Sequence, residues 1–506
     1  MSRFSEQCKE LIRENGTNVY RISKEFSLEV TALQRMVTGK RLPNIDFVKK
    51  FCECLRIPET EKSTLLELYK IEQVGENTYY SRKCIKQLFN RLYGLEHEEE
   101  PFRENHEDPA PSFSIHTHMS LGVETALLAI LEHCFCSEKE EQIYTNFPAG
   151  DSSLFHYLNI LRMRHGNNVS ISHLINFRID SFHSLSNLNA LLQILPFTMS
   201  SNIRYTPYFV YSRAGHTDFQ SQLFPYYLIT DDSVLLCSGD FSKHIVLKDH
   251  EAVTAYINAF DHALKQAHLL IRSINDPMDA WQHYQEIVAT KDMEVFGIEP
   301  QICYTGLMDR KTFMHFQAEM VPELSPIFSE FTQKLWDQNK TFYFTQNGMD
   351  LLCATGQFTG QVTALLPPAH RENVIAMLEH YLSSEQGQHG YLLKNRIRFP
   401  LHINFEINGN HHLNIIQITP EGQFNMLTIC ESSVCEAFRD FALSLQEDED
   451  VCSVAETRQF IQEKIDMLKK AGKLLPALLI GCDQARSSSS SAVPCSYADA
   501  DKRCTS

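Results

Sequence analysis

The stretch that most constrains this chain lies near its start: Ser23-Lys-Glu-Phe-Ser-Leu-Glu-Val-Thr-Ala-Leu-Gln-Arg-Met-Val-Thr-Gly-Lys-Arg-Leu-Pro43. Two short amphipathic runs meet at a tight break, and the second ends in a glycine, two basic residues and a proline that stops a helix. The same rhythm fills the first seventy residues. Phe4, Cys8, Leu11 and Ile12 recur at helical spacing, and Gly16 closes that helix. Asn18 caps a second helix with Val19, Ile22 and Phe26 on one face, while small Ser23 admits a close neighbour. Ser27-Leu28 makes the turn. A third helix over Glu29–Thr38 buries Leu33, Met36 and Val37 and presents Thr31, Gln34, Arg35 and Thr38 on the opposite side. Gly39 ends it. Asn44 caps a fourth helix with Phe47, Val48, Phe51 and Leu55 inward, and a fifth forms around Leu65, Leu66 and Tyr69.

Charge separates this head from the rest. The 506 residues carry a net charge of −17, the wrong sign for a protein that coats nucleic acid along its length. Residues 1–95, however, hold 17 Lys+Arg against 12 Asp+Glu, and the remainder 29 against 51. A slightly basic head on an acidic body fits one small DNA-contacting module carried by a larger part that does not touch DNA. No apolar run approaches the ~20 residues that span a bilayer. The start of the chain lacks a basic-then-apolar signal pattern, since Glu6, Lys9 and Glu10 interrupt it. The expected location is the cytoplasm, where the 15 scattered cysteines stay reduced. Cys52-Glu-Cys54 and Cys134-Phe-Cys136 have one intervening residue each, not the spacing of zinc pairs.

The head resembles the phage-repressor-type (Cro/repressor-like, XRE) helix-turn-helix family. The resemblance rests on Ile22-Ser23, Leu33, the Gly39-Lys40-Arg41-x-Pro43 exit and the Phe47…Phe51…Leu55 helix. It implies that the third helix enters the major groove while the second crosses the backbone. Val30, Thr31 and Arg35 match the base-reading positions, with Gln34 beside them; Asn18, Thr38, Lys40 and Arg41 would hold phosphates. Two positions depart from the family pattern. The usual Gln opening the second helix is replaced around Asn18-Val19, and the acidic residue before the Gly turn is Val37.

The expected organisation is multi-domain: an all-α five-helix head over 1–70, a helical linker over 71–110, and an α/β or α+β body in two lobes. The lobes are placed at 111–275 and 276–450, a C-terminal helix at 451–480 and a disordered tail at 481–506. In the first lobe, Phe224–Thr230 and Ser233–Cys237 pair around Asp231-Asp232, and a long helix over His250–Ile271 closes the unit. In the second, hairpins are expected around Asn347-Gly348 and around Asn408-Gly-Asn410. The closing segments are alike: Gly239-Asp-Phe241…Glu251-Ala-Val253…Ala259-Phe260 beside Gly422-Gln-Phe424…Glu431…Val434…Ala437-Phe438. A diverged duplication with a ligand cleft between lobes is the expectation.

The first lobe also resembles the phospholipase-D-like sensor modules appended to bacterial regulators, through Phe224-Pro-Tyr-Tyr-Leu-Ile-Thr-Asp-Asp-Ser-Val-Leu-Leu and Val246-Leu-Lys-Asp-His-Glu. The hydrolytic His-x-Lys of that superfamily is absent, since His262-Ala-Leu-Lys265 has the wrong spacing. The resemblance therefore implies a catalytically dead module.

No phosphate loop, dinucleotide fingerprint, nucleophile elbow or His-Glu-x-x-His helix occurs. His116-Thr-His118 reads as a surface loop, and His411-His412 as a solvated hairpin tip. No catalytic residue, metal site or cofactor is expected. The leading expectation is a sequence-specific DNA-binding transcriptional regulator, acting as a homodimer on double-stranded DNA, whose body senses an unidentified small-molecule or protein effector or organises the dimer. A hydrolytic (phosphodiesterase- or nuclease-like) enzyme with a DNA-targeting head, and a protein-interaction scaffold, are the competing readings.

Overall fold

The computed structural model describes residues 2–96, 119–149, 152–165, 169–178, 184–199, 203–212, 223–276, 279, 280, 282, 283, 286, 294–303, 340–359, 368–384, 389–394, 396–409, 411–419, 422–447 and 450–486. The proline-containing stretch after Glu96, the His116–His118 pair and the serine-rich tail from 487 lie outside them.

Five helices, α1 (Arg3–Glu14), α2 (Val19–Phe26), α3 (Val30–Val37), α4 (Ile45–Cys54) and α5 (Glu59–Val74), enclose a core of their own built on Phe4, Cys8, Leu33, Met36, Phe51 and Leu65. Asn18 and Asn44 cap α2 and α4, accepting from the backbone N–H of Arg21 and Phe47 at 2.9 Å each. Phe26, expected inside, is 39% exposed: α2 ends beside it, and Leu28 fills the inward position.

The rest of the chain supplies α6 (Glu76–Glu96), α7 (Leu121–Phe135), β1 (Glu141–Thr145), α8 (Ser152–Arg164), β2 (Val169–Arg178), α9 (Ser184–Thr198), β3 (Arg204–Ser212), β4 (Tyr226–Ile229), β5 (Val234–Cys237), β6 (His244–Leu247) and α10 (His250–Leu264). There follow β7 (His268–Leu269), β8 (Ile271–Ile274), β9 (Val295–Glu299), β10 (Lys340–Phe344), α11 (Gln346–Thr355), α12 (Arg371–Ser383), β11 (Gly390–Leu392), β12 (Ile403–Asn408), β13 (His412–Ile418), β14 (Phe424–Ile429), α13 (Ser432–Glu447) and α14 (Val454–Arg486).

The strands form two seven-stranded mixed sheets, β6-β5-β4-β1-β2-β3-β7 and β11-β10-β9-β12-β13-β14-β8. In the first sheet, β1, β2 and β3 run parallel and β4-β5-β6 meander antiparallel from the other side of β1. In the second, β9, β10 and β11 run parallel and β12-β13-β14 meander from the other side of β9. The six strands of each lobe thus repeat one order and one set of directions. The element-level likeness read from the closing segments is present, but its residue pairing is not. Asp249 and Glu431 are the caps of α10 and α13, each accepting a backbone N–H at 2.9 Å, whereas the sequence had matched Glu251 with Glu431.

Side-chain alternation along the strands builds five layers. Phe296, Ile298, Phe405 and Ile407 of one sheet and Ile143, Ile171, Ile175 and Leu228 of the other face a shared core filled by α6, α7, α8, α9 and α13. Leu174, Ile229 and Leu236 face outward onto Val253 and Phe260 of α10. Phe344 and Leu392 face outward onto α11, α12 and α14.

Several expectations change. Ile85, Leu88, Phe89 and Leu92 of α6 lie in the middle layer, and Arg82 forks onto Asp440 of α13 at 2.8 and 2.9 Å, so residues 76–96 belong to the body and not to a linker. The long helix after His250 stops at Leu264, and β7 and β8 follow. Residues 351–355 are helical, not a strand: Thr345 accepts from the N–H of Gly348 at 3.0 Å, turning Asn347-Gly348 into the first turn of α11. The backbone helix of α14 continues through Arg486, past the point where a disordered tail was expected to start. Among the described residues the cysteines are free, and no helix is long and apolar enough to cross a membrane.

Candidate nucleic-acid interface

The α2–α3 pair is held by short local bonds. Ser27 adopts a left-handed conformation (φ 55°, ψ 35°) that reverses the chain after α2. Ser23 Oγ donates to the Leu28 carbonyl at 2.6 Å, pinning the turn to the preceding helix. Ile22, Leu28, Leu33 and Met36 then close the seam between the two helices. At the far end, Gly39 (φ 69°) follows α3, and the Lys40 N–H returns to the Arg35 carbonyl at 2.9 Å, the six-to-one bond of a glycine-terminated helix. Tyr69 of α5 donates to the Pro43 carbonyl at 2.9 Å and so fixes the exit of the basic loop.

That scaffold leaves Thr31, Gln34, Arg35, Thr38, Lys40 and Arg41 exposed on one side of α3 and its C-terminal loop. Val30 is half-buried, so it offers less of its side chain than its neighbours do. Asn18 spends its amide oxygen on the α2 cap and keeps its N–H groups. Thr38 donates its one hydroxyl hydrogen to the Gln34 carbonyl at 2.6 Å, which leaves it an acceptor and a poor partner for a phosphate in this rotamer. On α2, Tyr20 is 72% exposed, and Arg21 pairs with Glu25 at 2.8 Å.

Three polar constellations in the body had no clear signal in sequence. His173 of β2 is fully buried, 2.5 Å from Tyr205 Oη and 2.7 Å from the Phe147 carbonyl. The carbonyl can only accept, so Nε2 carries the proton and Nδ1 accepts from the tyrosine. Burial drives its pKa down to about 4. On the outward face of the second sheet, Lys340 Nζ lies 3.7 Å from Glu299, 3.6 Å from Glu406 and 3.6 Å from Cys303 Sγ. Burial alone would discharge this lysine, but Cys303, Glu406 and Glu299 overcome it and hold the ammonium above its ordinary range. At the junction of the lobes, Tyr211 at the end of β3 donates to Glu431 at 2.7 Å, and Asn187 of α9 donates to Ser433 of α13 at 3.1 Å. His412, read as solvated, is half-buried and bonded to Cys430 at 3.3 Å. Among the described residues, no three His, Cys, Asp or Glu side chains stand together as a metal site.

No protein-family model matches this chain, and no curated protein matches it. Among solved structures it is similar to the phosphatidylserine synthase of Haemophilus influenzae Rd KW20, with a TM-score of 0.25 and 10% sequence identity over 71% of this chain and 92% of that one.

Proposed function

We propose that this protein is a sequence-specific DNA-binding transcriptional regulator of the repressor-like helix-turn-helix kind. The observation that carries the reading is the bare outer face of α3, where Thr31, Gln34 and Arg35 stand exposed on a helix whose other side buries Leu33, Met36 and Val37. In this reading α3 lies in the major groove, and the guanidinium of Arg35 forks onto the O6 and N7 of a guanine. The methyl of Thr31 meets a thymine, and Gln34 reads an adjacent base. Val30 contributes only an apolar edge. Lys40, Arg41 and the amide hydrogens of Asn18 hold phosphates and set the register, with Thr38 a minor member of that set. One short helix covers too few base pairs for useful selectivity, so the functional unit is a homodimer on paired half-sites. The body serves as the sensing or dimerising part.

The test is selection of preferred duplexes from a random library with the full-length protein, followed by titration of two variants. Arg35→Ala is expected to lower affinity for the selected site by about tenfold to a hundredfold and relax preference at one base pair. Lys40→Ala is expected to weaken selected and random DNA alike and to flatten the salt dependence by about one phosphate. Absence of any enriched sequence, or an Arg35→Ala protein that binds the selected site unchanged, overturns the reading.

A further inference from the structure

Because the two sheets repeat one topology, each shows what the outer face of the other could have been. On the first, β4 and β5 turn Tyr227, Ile229, Val234 and Leu236 outward onto α10. The corresponding strands of the second, β12 and β13, turn Asn404, Glu406, Asn408 and Asn414 outward, alternating with Ile403, Phe405, Ile407, Leu413 and Ile415 of the shared core. All four polar residues are buried, none more than 6% exposed. A face that only has to pack is most stable when apolar, since a buried amide or carboxylate costs free energy unless it is hydrogen-bonded.

The register lays these groups in one row. Glu406 faces Gly297 of β9 on one side and Asn414 of β13 on the other, and Asn414 faces Thr428 of β14. Lys340 reaches in between Glu299 and Glu406, 3.7 and 3.6 Å from their carboxylates, and keeps its ammonium charged beside them. Asn408 donates to Glu406 at 3.2 Å, and Thr428 donates to the amide oxygen of Asn414 at 3.0 Å. Two atoms are left over. Among the described residues, Asn404 Oδ1 and Asn414 Nδ2 have no hydrogen-bond partner, although their residues are only 3% and 0% exposed. One is an acceptor lacking a donor and the other a donor lacking an acceptor, and they lie diagonally across Glu406 on neighbouring strands.

We propose that the outward face of β12 and β13 is a binding site for a small neutral polyhydroxylated molecule, a sugar or polyol. The charges of the row select against ions of either sign: Lys340 already stands between the carboxylates and repels a cation, and Glu299 and Glu406 repel an anion. The two orphaned atoms ask for a donor and an acceptor on one ligand. A hydroxyl is both at once, and hydroxyls on successive carbons reach from Asn404 to Asn414 past Glu406. Ligand binding here involves no DNA, so it stands or falls apart from the reading of α3.

The experiment titrates the full-length protein, without DNA, with D-glucose, D-ribose, myo-inositol and glycerol by calorimetry and thermal melting. At least one is expected to bind at one site per chain and raise the melting temperature, with gluconate binding at least tenfold more weakly than the best of them. Asn404→Leu should weaken that ligand about tenfold. Without ligand it should melt no lower than the parent, because the substitution removes an unanswered buried oxygen and not a bond. The proposal is overturned if none of the four neutral compounds binds, which would leave the amides to buried water. It is equally overturned if gluconate binds as tightly, or if Asn404→Leu binds unchanged. The titration of the parent needs no variant, so a folding defect cannot decide it.

Discussion

At the scale of single residues, burial decides which polar groups matter. His173 is locked neutral between a carbonyl and a tyrosine hydroxyl, with its pKa depressed to about 4 from 6.5. The unfolded chain therefore binds a proton at this site more readily than the folded one. Its contribution is complete above pH 6.5 and drains away as pH falls toward 4, a loss of about 3 kcal/mol from this group. Urea midpoints measured across that range should fall more steeply for the natural protein than for His173→Gln, which is weaker at neutral pH but lacks the titration. Equal slopes would show that His173 does not titrate as described. Nothing in sequence marked this histidine out from the other 21. Its neighbours Tyr205 and Phe147 are 32 and 26 positions away, and only sheet register brings Tyr205 to it. That Thr31, Gln34 and Arg35 share the exposed side of α3 was legible from spacing alone, because a helix face is a local property.

At the scale of elements, the same glycine substitution should act in opposite directions in two helices. Gly348, in the first turn of α11, faces the Pro300 carbonyl, and an added Cβ would lie 1.9 Å from that oxygen. Gly94, in α6, has nothing within 4 Å of the same position. Gly348→Ala is expected to cost about 3 kcal/mol, because a backbone carbonyl cannot step aside cheaply. Gly94→Ala should stabilise by about 0.5–1 kcal/mol, through reduced freedom of the unfolded chain. Chemical denaturation of the two variants beside the parent decides both signs. Asn347-Gly348 also shows where local reading stops. The dipeptide favours a hairpin turn, yet the glycine is there to let a helix start pass over the end of β9. Where the cue was genuinely local, as at Asn18, Asn44 and Asp231-Asp232, caps and hairpin formed where the residues indicated.

At the scale of the whole molecule, the five layers make α6 the structural tie between head and body. Ile85, Leu88, Phe89 and Leu92 occupy the layer between the two sheets, each no more than 2% exposed. Removing them would leave cavities worth several times the ~2–5 kcal/mol of one large side chain. A fragment beginning at residue 75 is therefore expected to melt cooperatively, and one beginning at residue 97 to lose its cooperative transition by circular dichroism. Similar melting of the two would contradict the placement of α6. The lobes themselves were visible in sequence as a recurring strand-and-helix pattern, but the layer order was not, since it depends on contacts between segments hundreds of residues apart. The chain leaves the first sheet at β7 and enters the second at β8 with Leu270 alone between them. A peptide unit this short cannot let one sheet swing freely from the other. A displacement of one sheet must be passed to the other along a taut strand, and α6, packed in the layer between the two sheets, lies beside its path.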